Sequence, residues 1–295
     1  MTRERTVEGG FATGWRTARR TLSLERPVVM GVLNITPDSF SDGGHFFGQD
    51  KALRRLEEMQ TEGADIVDVG GESTRPGSDP VNGEEELRRV LPAIEAAAAR
   101  LELPVSVDTT KSRVARAALD AGAEIINDIS GLRFDPELAE LAAASGAGLV
   151  LMHIRGEPRT MQRHVHYDDL VAEIVGELSE STERALGAGC RREQLVVDPG
   201  IGFGKTAEHN LAIINELDRV GELGYPVLIG PSRKSFIGKT LGLEVGERLE
   251  ATIAACVVGL LRGARIFRVH DIREARRALD MAEAIVRGSS GAEPD

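Results

Sequence analysis

The sequence predicts a single (β/α)8 barrel, and three observations carry that expectation. Short runs of β-branched residues recur eight times, each leading directly into a polar or Gly-rich segment. Between them lie Ala-, Leu- and Glu-rich stretches in which apolar residues return at three and four positions. No Ser/Pro-rich linker interrupts the alternation, so the 295 residues read as one domain rather than two. In such a barrel the chemistry collects on loops at the C-terminal ends of the strands. The polar segments therefore mark the active face.

Residues 1–26 precede the first barrel strand. Within them GWRTARRTLSLERP reads as a hairpin closing the bottom of the barrel, behind a mobile first ten residues. The barrel is expected over residues 27–287. Its strands are VVMGVLN (Val28–Asn34) before ITPDSFSDGG, DIVDVGGE (Asp65–Glu72) before STRPG, and PVSVD (Pro104–Asp108) before TTKS. EIIND (Glu124–Asp128) runs into ISG, GLVLMH (Gly148–His153) into IRG, and LVVDPG (Leu195–Gly200) into IGFGKT. PVLIG (Pro226–Gly230) leads to PSRKS, and ARIFRVH (Ala264–His270) carries its polar residues inside the strand end. Helical patterns fall near 50–62, 84–101, 111–121, 135–145, 167–188, 208–223, 246–262 and 271–287. Residues 288–295, GSSGAEPD, read as a disordered tail.

The totals exclude several classes. A net charge of −11 argues against nucleic acid as a partner. No run approaches the roughly 18 apolar residues that span a membrane, and MTRERTVEGG lacks the apolar stretch of a secretory signal. Two cysteines far apart, Cys190 and Cys256, both in helical patterns, read as free thiols in a reducing cytoplasm. The loop face nevertheless carries Arg75, Lys205, Arg233, Lys234, Arg268 and His270, a basic patch suited to a small anion.

The chemistry begins with acids. Asp108 ends one strand, Asn127 and Asp128 the next, and Asp198 the sixth. Alternate residues point into a barrel's lumen, so polar side chains at strand tops line the floor of the pocket. A buried carboxylate needs donors. A fused pyrimidinone such as a pterin supplies adjacent N–H groups, and an Asn both donates and accepts along the same mixed edge. The alternative is a helix cap, for which Asp108 before TTKSRVARAAL is the better candidate. On the anion side, Arg268 and His270 stand two residues apart on the last strand and so point the same way. PSRKSFIG puts Lys234 and Ser235 at a helix opening, where free N–H groups attract phosphate. GIGFGKT resembles a nucleotide P-loop, but Pro199 stands where its first glycine belongs, so it reads as a barrel loop. The first two loops, with Phe40 and Asp42 in NITPDSFSDGG and Thr74 to Pro76 in GGESTRPG, are candidate lids. Asn34 offers a carbonyl to a hard cation such as magnesium, which keeps its waters and bridges to phosphate.

Taken in order, NITPDSFSDGG, GGESTRPG, VDTTKS, NDISG, LMH, DPGIGFGKT, GPSRKSFIG and RVHD resemble the dihydropteroate synthase family, over roughly residues 14–287. The resemblance implies a dimeric, cytoplasmic barrel, a sulfonamide target. Such an enzyme condenses 6-hydroxymethyl-7,8-dihydropterin diphosphate with 4-aminobenzoate, using magnesium. By position it implies Asp108, Asn127, Met152, Asp198 and Lys234 around the pterin, and Asn34, Arg268 and His270 at the diphosphate, with Asn34 on the metal. Phe40, Thr74, Arg75, Pro76, Phe203 and Ser235 correspond to residues around aminobenzoate. Asp42, Lys234, Arg268 and His270 are the catalytic candidates. The ring can delocalise positive charge, so the expected path is dissociative and needs no covalent nucleophile. Three rivals are weighed. A corrinoid-linked methyltransferase has no use for Arg268, His270, Lys234 and NITPDSFSDGG together, a pterin-binding protein without catalysis would have eroded loop residues, and a sugar-phosphate barrel enzyme would not explain the strand-end acids.

Overall fold

The computed structural model describes residues 13–35, 44–74, 77–163 and 165–288. A hairpin of β1 (Gly14–Arg16) and β2 (Thr21–Ser23) precedes the barrel. Each β-branched run then forms a strand: β3 (Val28–Asn34), β4 (Ile66–Gly70), β5 (Val105–Asp108) and β6 (Ile125–Asp128). β7 (Gly148–Met152), β8 (Leu195–Asp198), β9 (Val227–Ile229) and β10 (Ala264–Val269) complete the set. All eight pair in parallel and close in the order β10-β3-β4-β5-β6-β7-β8-β9, a TIM-barrel architecture.

Ten helices occur among the described residues: α1 (Gly44–Thr61), α2 (Gly83–Arg100), α3 (Ser112–Asp120), α4 (Glu137–Ser145), α5 (Leu170–Gly187), α6 (Ala207–Asn215), α7 (Leu217–Gly221), α8 (Ser235–Leu241), α9 (Leu249–Leu261) and α10 (Ile272–Arg287). Side chains cap several of them. Asn82 accepts from the Glu85 N–H at 2.9 Å and Asp169 from the Ala172 N–H at 3.1 Å, each satisfying an orphan donor of the first turn. The helix expected over 208–223 breaks at Glu216 (φ −110, ψ 26), and α7 turns Leu217 and Val220 onto the core. Cys190 lies just past α5 rather than in a helix; it and Cys256 are buried free thiols.

Apolar burial divides into two main compartments and a small third cluster at the open end. The larger lies between strands and helices. The smaller fills the lower lumen, where Met30, Ile66, Ile125, Val150, Val196, Leu228 and Ile266 point inward and Trp15 of the hairpin caps them from below. The Trp15 indole N–H donates to the Gln194 carbonyl at 2.8 Å, and Thr17 donates to the Glu124 carboxylate at 2.7 Å. The extension thus closes the bottom, and the open end is left for chemistry.

Candidate active site

Two residues above most of the inward plug residues the position turns polar or small, while above Met30 and Val150 it stays apolar, as Val32 and Met152. Ile125 gives way to Asn127, Val150 to Met152, Val196 to Asp198, Leu228 to Gly230 and Ile266 to Arg268, the two-residue period of a strand carried one layer up. These side chains, with Asp108, Thr74, Phe203, Lys234, Ile129 and Ile201, line a pocket that is partly open to solvent. Three of its apolar lining residues, Ile129, Met152 and Phe203, belong to a separate small cluster with Ile154 and Met161 behind them. Apolar lining together with carboxylates, an amide and a lysine suits a heteroaromatic ring with polar edges.

Arg268 organises the acids. Its Nε donates to Asp68 Oδ2 at 2.6 Å and its Nη2 to Asp108 Oδ2 at 2.7 Å, so Asp108 serves the pocket and caps no helix. Burial pushes the Asp108 carboxyl up; Arg268 opposes that, and the nearby Asp68 adds to it. Asp198 is likewise raised by burial, to about 6, although its Oδ1 accepts the Gly200 N–H at 2.7 Å. That turn requires glycine: φ is +71°, and a Cβ would lie 1.9 Å from the His153 carbonyl oxygen. Burial, reinforced by Arg268, lowers Lys234 to about 8, and its Nζ sits 3.9 Å from the centroid of the Phe203 ring. Arg233 before it is held at φ 58°, turning its own side chain outward while Lys234 enters the cavity.

The basic patch sorts into three environments. Lys234 and Arg268 line the cavity. Arg233 instead pairs with Asp271, its Nε donating at 3.0 Å, because its side chain leaves on the opposite side of the turn. Lys205 is buried behind the lining, with His153 Nδ1 at 2.9 Å and the Phe203 carbonyl at 3.0 Å as partners, and burial lowers it to about 7. It ties the glycine loop to the end of β7. Asp128, expected at the pocket floor, faces the other side of β6. It accepts from the Ser130 N–H at 2.8 Å and the Leu132 N–H at 2.6 Å, holding its own loop.

His270 lies one residue past β10. Ser232 Oγ accepts the His270 backbone N–H at 3.2 Å and lies 3.0 Å from Nδ1. A hydroxyl donates once and accepts twice, so this contact is satisfied by either imidazole tautomer. Burial, then Arg268, lowers His270 to about 4, so near pH 7 it is a neutral donor rather than a cation. Asn34 borders the same space: the point where a Cβ would sit on Gly70 is 3.4 Å from Asn34 Oδ1 and 3.6 Å from Asp108 Oδ2. Ser235 opens α8 and is exposed. Phe40, Asp42, Arg75 and Pro76 lie outside the described residues. Asp68 was not among the expected site residues. Its signal was an acid in the middle of a β-branched run, where an unpaired carboxylate is costly.

The comparisons with known proteins agree with this geometry. The family described as "Pterin binding enzyme" matches residues 30–270. The chain belongs to the pterin-binding enzymes. Within that family it is 48% identical over 264 residues to the dihydropteroate synthase of Clostridium beijerinckii, covering 89% of this chain and 96% of that protein. It is 47% identical to the Bacillus subtilis dihydropteroate synthase over 89% of this chain and 90% of that protein. Among solved structures, Yersinia pestis dihydropteroate synthase in complex with a sulfonamide drug superposes with a TM-score of 0.88 at 41% identity, covering 93% of this chain and 100% of that one. Xanthomonas albilineans dihydropteroate synthase with 4-aminobenzoic acid gives 0.87 at 44%, covering 94% and 100%.

Proposed function

We propose that the chain is a dihydropteroate synthase, joining 6-hydroxymethyl-7,8-dihydropterin diphosphate to 4-aminobenzoate with release of diphosphate. One observation carries the reading: Asp108, Asn127, Asp198 and Lys234, from four different strands and loops, meet on a single cavity with apolar lining beside them. Asp198, Asn127 and Asp108 read the ring's N–H edge, Met152 takes its face, Lys234 sits against its polar rim, and Phe203 stands on the aminobenzoate side. Arg268, His270 and Asn34 stand on the β10–β3 side, where the diphosphate leaves, and His270 serves it as a neutral hydrogen-bond donor. Thr74, which lines the cavity, and Ser235 accompany aminobenzoate.

The reaction is a substitution at the methylene carbon. Its C–O bond breaks and the electron pair departs with diphosphate, while the electron-rich dihydropterin ring delocalises the positive charge left behind. The aniline nitrogen then attacks that carbon and loses its proton. Catalysis is mainly alignment of the nitrogen and stabilisation of the leaving anion.

Among the described residues no group of three or more His, Cys, Asp or Glu could hold a metal. A donor set offering one amide oxygen fits magnesium that takes its other ligands from water and the diphosphate. Asn34 would hold it, and its charge would offset that of the leaving group.

A homodimer is supported by apolar residues standing exposed on α9 and α10: Val258, Leu261, Met281, Ile285 and Val286. A cytoplasmic location is supported by the two free thiols; no described helix is long and apolar enough to cross a membrane.

The test is incubation with both substrates and magnesium. Dihydropteroate and diphosphate should form together, with diphosphate release dependent on aminobenzoate. Release without aminobenzoate, or pterin binding without turnover, would overturn the reading.

A further inference from the structure

Asp68 points inward from β4, two residues above Ile66 of the plug and two below Gly70. It is 0% exposed and does not line the cavity. Its Oδ2 accepts from Arg268 Nε at 2.6 Å and from Asn127 Nδ2 at 3.1 Å, while Oδ1 has no hydrogen-bond partner among the described residues. Ser106, its register partner on β5, also carries a buried hydroxyl without a hydrogen-bond partner among the described residues. A half-satisfied buried anion is poor stabilising material, since an apolar side chain of similar volume is often neutral or better there. The carboxylate is better explained by what it holds.

We infer that Asp68 is a positioning residue that fixes the donor–acceptor sense of the Asn127 edge and the plane of the Arg268 guanidinium, and so sets which heterocycle the pocket reads. The inference rests on the pterin reading above. With Nδ2 given to Asp68, Asn127 keeps Oδ1 and one remaining N–H for the ligand. The flipped amide would set Oδ1 against the carboxylate, acceptor facing acceptor, so the flip is excluded. Arg268 is gripped at two corners, by Asp68 through Nε and by Asp108 through Nη2, which leaves its plane no freedom to turn. A ring whose edge donates, as the 2-amino group of a pterin does, finds an acceptor. A ring carrying a carbonyl there meets oxygen with oxygen.

The experiment measures, by calorimetry, affinity for 6-hydroxymethylpterin and for its 2-oxo analogue, a lumazine, in the unmodified protein and three variants. Asp68→Leu keeps the branch at Cγ and the number of side-chain heavy atoms, Asp68→Ala serves if the bulkier leucine does not fold, and Asp68→Asn retains an acceptor. The unmodified protein should prefer the pterin by at least about tenfold, the scale of a buried hydrogen bond replaced by facing acceptors. Asp68→Leu or Asp68→Ala should weaken pterin binding and bring the ratio of the two affinities towards one, with Asp68→Asn recovering part of it. A purely structural role would lower both affinities by the same factor and leave the ratio intact; that result overturns the inference while the pterin reading stands. Failure of the unmodified protein to bind pterin would overturn both.

Discussion

The lower and upper halves of the barrel lumen are built on the same strands with the same two-residue period, yet their contents are opposite. Below, Trp15, Met30, Ile66, Ile125, Val150 and Ile266 exclude water with no charge among them. Above, Asp68, Asp108, Asn127, Asp198 and Arg268 are packed into almost as dry a space. Apolar burial stabilises in proportion to area, whereas burying carboxylates costs free energy that pairing returns only in part. The contrast teaches a division of labour along one axis: the closed end supplies stability that the open end consumes.

That division can be broken from either side. The largest effect should come from Trp15→Ala, which empties the plug and should cost about 3–5 kcal/mol of unfolding free energy. Denaturant unfolding measures it, and KM for the pterin diphosphate should be unchanged at a temperature where the variant is folded. A change in KM without loss of stability would show the two halves to be coupled.

Asp198→Asn should do the reverse. Pterin affinity should fall at least about a hundredfold, roughly 3 kcal/mol, because the ring's adjacent donors lose an anionic acceptor. Stability should hold or rise, since burial already disfavours the charged carboxyl. Near-native affinity in calorimetry would remove Asp198 from the ring's edge.

The pH dependence of pterin affinity sharpens the same point at smaller scale. Asp198 is raised to about 6 in the free protein, and it is the ionised form that accepts the ring's N–H groups. Above pH 6 the acceptor is present and this group adds no pH dependence. As pH falls below 6, protonation competes with binding, and affinity should drop about tenfold per unit. A profile flat to pH 5 would contradict the assignment.

Smallest of all should be Arg233→Gln. Arg233 shares the loop of Lys234, but its ion pair with Asp271 is half-exposed. Stability should change by less than about 1 kcal/mol and kcat/KM hardly at all. A large loss of activity would restore Arg233 to the anion site.

How much of this was readable beforehand depends on the range of the interaction involved. Strand positions, the hairpin plug and the strand-end placing of Asp108, Asn127, Asp198 and Arg268 follow from local patterns, whereas Met152 rests on the family resemblance and Asp128 was expected in the pocket with Asn127. Asp68 obeyed the same rule from Ile66 upward, but attention to strand ends passed over an acid inside the run. Arg268 looked available for an anion, and in the structure two of its corners are held by carboxylates 200 and 160 residues away in sequence. Removing it would strand both acids, so Arg268→Ala does not isolate a diphosphate contact.

By itself the chain determined the eightfold alternation, its active end and the residue types available there, because side-chain direction along a strand is a property of neighbours in sequence. Only the closed barrel decided that Lys205 is buried behind the lining, that Arg233 turns out while Lys234 turns in, and that Asp68 joins Arg268 to Asn127. Those choices depend on which strands become adjacent when the sheet closes and on which charges water can still reach, and neither quantity exists before the chain has folded.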